Sequence, residues 1–146
     1  MRKFIVLFPL LFVLTIIGCS KKNVSNSNVP DAVSQALTTK FPQAISITWK
    51  KVNEFEYHAS FISNGKKMMA SFSDDGDLLS TKKEISRKNI PKGVLSTVTK
   101  KYKKSSISDA YKISNRKGTQ YEVDISKNGK ITSMTFDDDG DLIQRS

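Results

Sequence analysis

A stretch of eight residues that occurs twice sets the tightest limit on what this chain can become. It reads Phe72-Ser73-Asp74-Asp75-Gly76-Asp77-Leu78-Leu79 and again Phe136-Asp137-Asp138-Asp139-Gly140-Asp141-Leu142-Ile143. Each copy holds an aromatic strand end, an acidic turn around a glycine and an apolar restart. Asp-Gly between apolar runs signals a hairpin, because glycine takes a positive φ without steric cost. A chain that carries this twice is built from two copies of one unit.

The rest of each copy follows in the same order. Val29-Pro30 opens the first, and Pro suits the first turn of a helix, where its missing N–H is not needed. Val33, Ala36, Leu37 and Phe41 recur at helical spacing. Pro42 stops the helix at Phe41. Ile45, Ile47 and Trp49 then alternate as in a strand, and so do Phe55, Tyr57, Ala59 and Phe61. Asn64-Gly65 is a two-residue hairpin turn. Met68, Ala70 and Phe72 make a third strand; Leu79, Thr81 and Ile85 make a fourth.

In the second copy Ile90-Pro91 matches Val29-Pro30, and Val94, Val98 and Tyr102 form the helical stripe. Tyr102 stands 61 residues after Phe41. Gly93 and several β-branched residues weaken this helix locally, so the repeat is the main argument for it. Ile107, Asp109, Tyr111 and Ile113 are expected as the first strand, with Tyr111 in the place of Trp49. Tyr121, Val123 and Ile125 form the second. Asn128-Gly129 then repeats Asn64-Gly65 at a spacing of 64. The expected fold is α+β: a duplicated helix-plus-four-strand unit giving about eight antiparallel strands, with both helices on one face. Alternation leaves one apolar face per strand, as in a sheet covered on one side. One such unit alone has a marginal core, so duplication helps, and the length allows one domain or two small halves sharing a core.

The N-terminus stands outside that pattern. A basic start, Met1-Arg2-Lys3, precedes an apolar run of 14 residues from Phe4 to Ile17. That is too short to span a bilayer comfortably and right for a signal peptide, residues 1–18. Ile16-Ile17-Gly18-Cys19 looks like a bacterial lipobox, which makes Cys19 the acceptor of a diacylglycerol. It is the only cysteine, so no internal disulfide is available. The lipid holds the protein at a membrane without a spanning helix. Ser20 after the cysteine is neutral for retention signals, and an outer-membrane address facing the periplasm is expected by analogy with similar lipoproteins. Residues 19–28 are polar and are expected as a lipidated cysteine with a flexible tether. The folded part is 29–146, with repeats at 29–85 and 90–146.

Charge is uneven. The whole chain carries a formal +10, and residues 82–117 hold 12 basic side chains against two acidic ones. Within that segment Lys100, Lys101, Lys103 and Lys104 surround Tyr102 at a helix end, where cations complement the dipole. They are the candidate basic patch for anionic headgroups or another polyanion. Export argues against nucleic acid as a partner.

Enzyme chemistry finds little support. The one histidine, His58, has the strand parity opposite to Tyr57 and Phe61, which places it on the solvent face. There is no Gly-rich phosphate loop, no HExxH and no Cys/His metal spacing, so no catalytic residue and no cofactor is assigned. Asp74, Asp75, Asp138 and Asp139 are weak calcium candidates, but their glycines come too early for an EF-hand loop and turn chemistry accounts for them.

The ordered, duplicated set resembles the PepSY-like family, described as β-lactamase-inhibitor-like exported proteins. The residues that carry the likeness are Phe41-Pro42, Ile47-Thr48-Trp49, Tyr57 with Phe61, the turns at Asn64 and Asn128, and the Phe-x-x-Asp-Gly-Asp-Leu ends at Phe72 and Phe136. It runs from Val29 to the C-terminus. The second copy departs from it at Lys103, where Pro42 would stand, and at Tyr111, which replaces Trp49. The resemblance implies an open antiparallel sheet, an extracytoplasmic place and no catalysis.

A membrane-anchored binding protein is the expected function, acting as an inhibitor or regulator of another envelope protein. The alternatives are polyanion binding through 82–117 and weak calcium binding at the acidic turns. The candidate protein-binding surface is the sheet face away from the helices, carrying His58, Ser60, Ile62, Met69, Glu122 and Ile131.

Overall fold

The computed structural model describes residues 23–24, 28–102 and 106–146. The strands form one sheet whose spatial order is the chain order, each antiparallel to its neighbours. The first unit contains β1 (Asn23–Val24), α1 (Asp31–Lys40), β2 (Ile45–Asn53), β3 (Glu56–Ser63), β4 (Lys66–Ser73) and β5 (Leu78–Glu84). A 3-10 turn at Arg87–Asn89 leads to α2 (Lys92–Lys101), β6 (Ser106–Asn115), β7 (Gly118–Lys127), β8 (Lys130–Asp137) and β9 (Leu142–Arg145). Eight strands come from the two repeats. β1 adds a ninth from inside the stretch that composition marks as a tether.

Local chemistry explains the turns. Asn64 and Gly65 both take positive φ, 50° and 69°, and Asn128 and Gly129 repeat this at 52° and 77°. These are the twist-matched hairpin turns that Asn-Gly favours. The acidic turns do more than reverse the chain. Gly76, at φ 88°, lies so close to the first turn of α1 that a Cβ there would stand 2.6 Å from the Ala32 carbonyl oxygen. Gly140 meets the backbone of Gly93 in α2 even more tightly. Thus Gly93, a weak helix former, is what lets the second acidic turn reach its helix.

Each helix buries its stripe on its own half of the sheet. Val33 and Leu37 pack with Trp49, Tyr57, Ala59, Phe61, Ala70 and Phe72. Val94 and Val98 pack with Ala110, Val123, Ile125, Met134 and Phe136. These are two cores, where a shared one was expected. The reason lies at the seam: β5 and β6 direct Thr81, Lys83, Lys112 and Ser114 to the helix side, and Lys83 faces Lys112 across the ladder. Backbone hydrogen bonding between β5 and β6, more than apolar contact, joins the halves.

Three irregularities correct the strand parities. Ser46 takes φ 54° and the register slips between Ile45 and Thr48, which turns Ile45 out to solvent. β6 slips likewise between Ile107 and Asp109. Beyond that slip Ala110 is buried in the place of Trp49, and Tyr111 turns to the opposite face. In β5 a slip next to Phe72 brings Leu78, and not Leu79, onto the first core. The row Trp49, Ala59, Ala70 therefore matches Ala110, Val123, Met134. The bulky side chain sits at one end of the row in the first unit and at the other end in the second, which keeps both cores filled.

Candidate functional site

The sheet face turned away from both cores carries the side chains that alternate with the buried ones. On β3 these are Glu56, His58, Ser60 and Ile62, between the buried Tyr57, Ala59 and Phe61. Cross-strand register extends them into rows. Thr48, Ser60, Met69, Lys82, Ile113 and Gln120 make one. Glu84, Tyr111, Glu122 and Thr135 make another. The six residues expected on this face, His58, Ser60, Ile62, Met69, Glu122 and Ile131, all have its parity.

The face is not uniform. A hollow of about 340 Å³ opens over β2 to β6, lined by Ser46, Thr48, Ser60, Ile62, Lys67, Met69, Lys82 and Tyr111, among others. Its apolar lining includes Met69 and Ile62, with Phe61 and Met68. At its rim the Lys82 Nζ lies 2.6 Å from Glu122 Oε1 and 4.4 Å from the centre of the Tyr111 ring. The Lys82 and Glu122 side chains are only 26% and 18% exposed, so this pair is partly desolvated and geometrically fixed. A second, longer pair sets Lys67 Nζ 3.9 Å from Asp109 Oδ1, and the Lys67 backbone N–H donates to Glu84 Oε2 at 3.1 Å.

Tyr111 sits among carboxylates. Burial pushes its phenol above the ordinary value of 10.0, and Asp109, Asp124, Glu84 and Glu122 push it in the same direction. The phenol is a neutral donor and acceptor at physiological pH. Beside it, Asp124 Oδ1 is buried and, among the described residues, has no hydrogen-bond partner.

At the other end of the face His58 Nε2 lies 2.9 Å from Glu56 Oε1. His58 faces Ser71 across the ladder, and the Ser71 and Ser80 hydroxyls bond each other at 2.9 Å. Among the described residues no hydrogen bond joins the imidazole to either serine. A base oriented toward a nucleophile, which acyl-transfer chemistry needs, is not what these atoms form.

The other candidates lie elsewhere. Lys100 and Lys101 are exposed in the last turn of α2, on the helix side. Lys103 and Lys104 lie outside the described residues. Among the described residues the basic side chains of the segment are spread over different surfaces. Lys82 is on the open face, Lys83 and Lys112 are on the helix side, and Arg116 and Lys117 sit at the β6–β7 turn. In the second acidic turn the Asp137 carboxylate accepts from the backbone N–H groups of Gly140 and Asp141, at 2.9 and 2.7 Å. Asp74, Asp75, Asp138 and Asp139 belong to those two turns. Among the described residues no three His, Cys, Asp or Glu side chains converge as metal ligands would.

Sequence reasoning missed Lys82 and Tyr111. Tyr111 was assigned to the core because strand alternation was carried through Ser108. The repeat spacing of 61, applied one residue more strictly, pairs Trp49 with Ala110 and frees Tyr111 for the open face.

The family model described as "Putative beta-lactamase-inhibitor-like, PepSY-like" matches residues 15–61 and again residues 55–144. Among solved structures, a "putative periplasmic" protein from Bacteroides eggerthii superposes with a TM-score of 0.71 at 17% identity, over 81% of this chain and 88% of its own. A "BLIP-like" protein from Bacteroides fragilis superposes with a TM-score of 0.62 at 24% identity, over 80% of this chain and 85% of its own. At these identities the likeness is one of fold. No curated protein matches the chain.

Proposed function

The chain belongs to the PepSY-like, β-lactamase-inhibitor-like family, and from that premise we propose that it is a non-catalytic extracytoplasmic binding protein whose open sheet face holds a protein partner. The observation that carries this reading is the hollow on that face, lined by Met69 and Ile62, with the Lys82–Glu122 pair over Tyr111. A gently twisted sheet face fits a folded partner better than a small molecule, which calls for an enclosed site. The role that follows is inhibition or regulation of another envelope protein. The family description and the neighbour described as BLIP-like favour inhibition in particular.

The location belongs to the same proposal. The signal-like segment 1–18 and Cys19 call for export and lipidation, with the domain on the periplasmic side of the outer membrane. The neighbour described as periplasmic supports the compartment. The test is capture of cross-linked partners from intact cells. His58→Ala with Met69→Asp on the open face should abolish capture, while Lys100→Glu with Lys101→Glu on α2 should leave it intact. The reverse result, together with binding that falls steeply with ionic strength, would transfer the function to the basic helix end.

A further inference from the structure

The sheet is electrically two-sided where the units meet and beyond. On β5, β6 and β7 the open face carries Glu84, Asp109, Glu122 and Asp124 against a single cation, Lys82. The helix side of the same strands carries Lys83, Lys112 and Lys127 and no carboxylate. A chain with a formal charge of +10 thus turns a half-buried acidic patch outward on this face.

Two of the four carboxylates are well held. Glu122 pairs with Lys82 at 2.6 Å, and Glu84 accepts the Lys67 backbone N–H. The other two are not. Asp109 and Asp124 face each other directly across the β6–β7 ladder, where like charges destabilise a sheet. Asp109 has the long contact to Lys67 at 3.9 Å, and that lysine is 64% exposed. Asp124 Oδ1 is buried and, among the described residues, bonded to nothing.

The repeat acts as an internal control. Thr48 stands 61 residues before Asp109, and Ser60 stands 64 before Asp124. Thr48 and Ser60 face each other across β2 and β3 as the two aspartates do across β6 and β7. A neutral pair serves in the first unit, so the fold does not call for carboxylates in the second. Among the described residues no three acidic side chains converge as metal ligands would, and the counter-charge that fits is an organic cation. A guanidinium suits two opposed carboxylates, because its fork of N–H donors bonds both at once. Its plane also stacks on an aromatic ring, and Tyr111 is the next residue on the same face of β6. Lys67 and Tyr111 line the hollow as well, so an apolar side chain beside that cation meets Met69 and Ile62.

Resting on the reading of a protein partner, we propose that the partner presents a basic segment to this face, with an arginine between Asp109 and Asp124 and an apolar neighbour in the hollow. The test uses two synthetic peptides, acetyl-Leu-Arg-Leu-Arg-Leu-amide and its counterpart with glutamate at both arginine positions. Each is titrated into the chain from residue 19 onward with Cys19→Ser, and the methionine methyl resonances are followed. The net positive charge of the chain favours the acidic peptide at long range. Preference for the basic one therefore reports a local acidic surface.

The basic peptide is expected to bind at least ~10-fold more tightly than the acidic one and to move the Met69 methyl signal. Asp109→Asn with Asp124→Asn should lower its affinity by about 10-fold. That double variant should unfold at or above the parent's urea midpoint, since a repulsion has been removed, which separates lost binding from lost folding. Equal or tighter binding of the acidic peptide, or an unchanged affinity of the double variant, would overturn the proposal. Spermidine bound as tightly as the basic peptide would overturn it too, by assigning the acidic pair to free polyamines. Capture from intact cells keeps the premise distinct. A protein captured at Met69 through an acidic surface of its own would end the basic segment and keep the protein partner. No capture, with the basic peptide still bound, would count against the partner and not against the acidic site.

Discussion

Gly140 and Gly65 both have positive φ, yet their surroundings differ. Gly65 has open space where a Cβ would be, whereas Gly140 lies against the backbone of Gly93. Gly65→Ala should therefore cost only the backbone strain, about 1–2 kcal/mol. Gly140→Ala should cost roughly 1–3 kcal/mol more, because the turn must leave its helix. Urea midpoints of the two variants check this. Tyr111 gives a second prediction through pH. Its phenol is held above 10.0 by burial first and by the surrounding carboxylates second. A raised acid binds its proton more tightly in the folded state. Its contribution is thus fully present below about pH 10 and is lost as pH rises through the raised value. Tyr111→Phe should unfold less steeply between pH 10 and 12 than the parent; parallel curves would place the phenol in ordinary solvent.

The elements show what could be read before the structure and what could not. The first helix, the Asn-Gly hairpins and the acidic turns follow from residues whose local chemistry is decisive: Pro42, Asn64, Gly65, Gly76, Asn128, Gly129 and Gly140; the second helix follows from the repeat. The slips at Ser46 and Ser108 do not, since serine carries no signal for a bulge, and each slip reverses the faces beyond it. That is why Ile45 emerged exposed and Tyr111 moved from the expected core to the candidate site. β1 was hidden for another reason. Its polar composition reads as a tether, and only comparison with residues 81–91 exposes its likeness to the end of β5. Trp49 anchors the first core with Phe72 6.2 Å away, ring to ring. Trp49→Ala should cost ~3–5 kcal/mol. Glu122→Ala, which strands Lys82 beside Tyr111, should cost about 1–3 kcal/mol. Denaturation midpoints that do not move would remove Trp49 from the core or the Lys82 pair from the structural account.

At the scale of the molecule the sheet is continuous and the apolar interior is not. Two helix-covered cores stand on either side of a seam lined by Thr81, Lys83, Lys112 and Ser114. Damage to one core should therefore stay mostly within its own half. Phe136→Ala is expected to speed amide exchange in β7 and β8 well before β3 and β4, and equal acceleration of all four would mean one cooperative core. The same construction leaves the opposite face of the sheet clear of both helices. On the function proposed above, this face is where a partner protein rests. A photo-cross-linking side chain placed in intact cells at Met69, at Glu122 and, on the helix side, at Gln35 tests it most directly. The account predicts that Met69 and Glu122 capture one and the same protein while Gln35 captures none. Capture from Gln35 with none from the two open-face positions would contradict it.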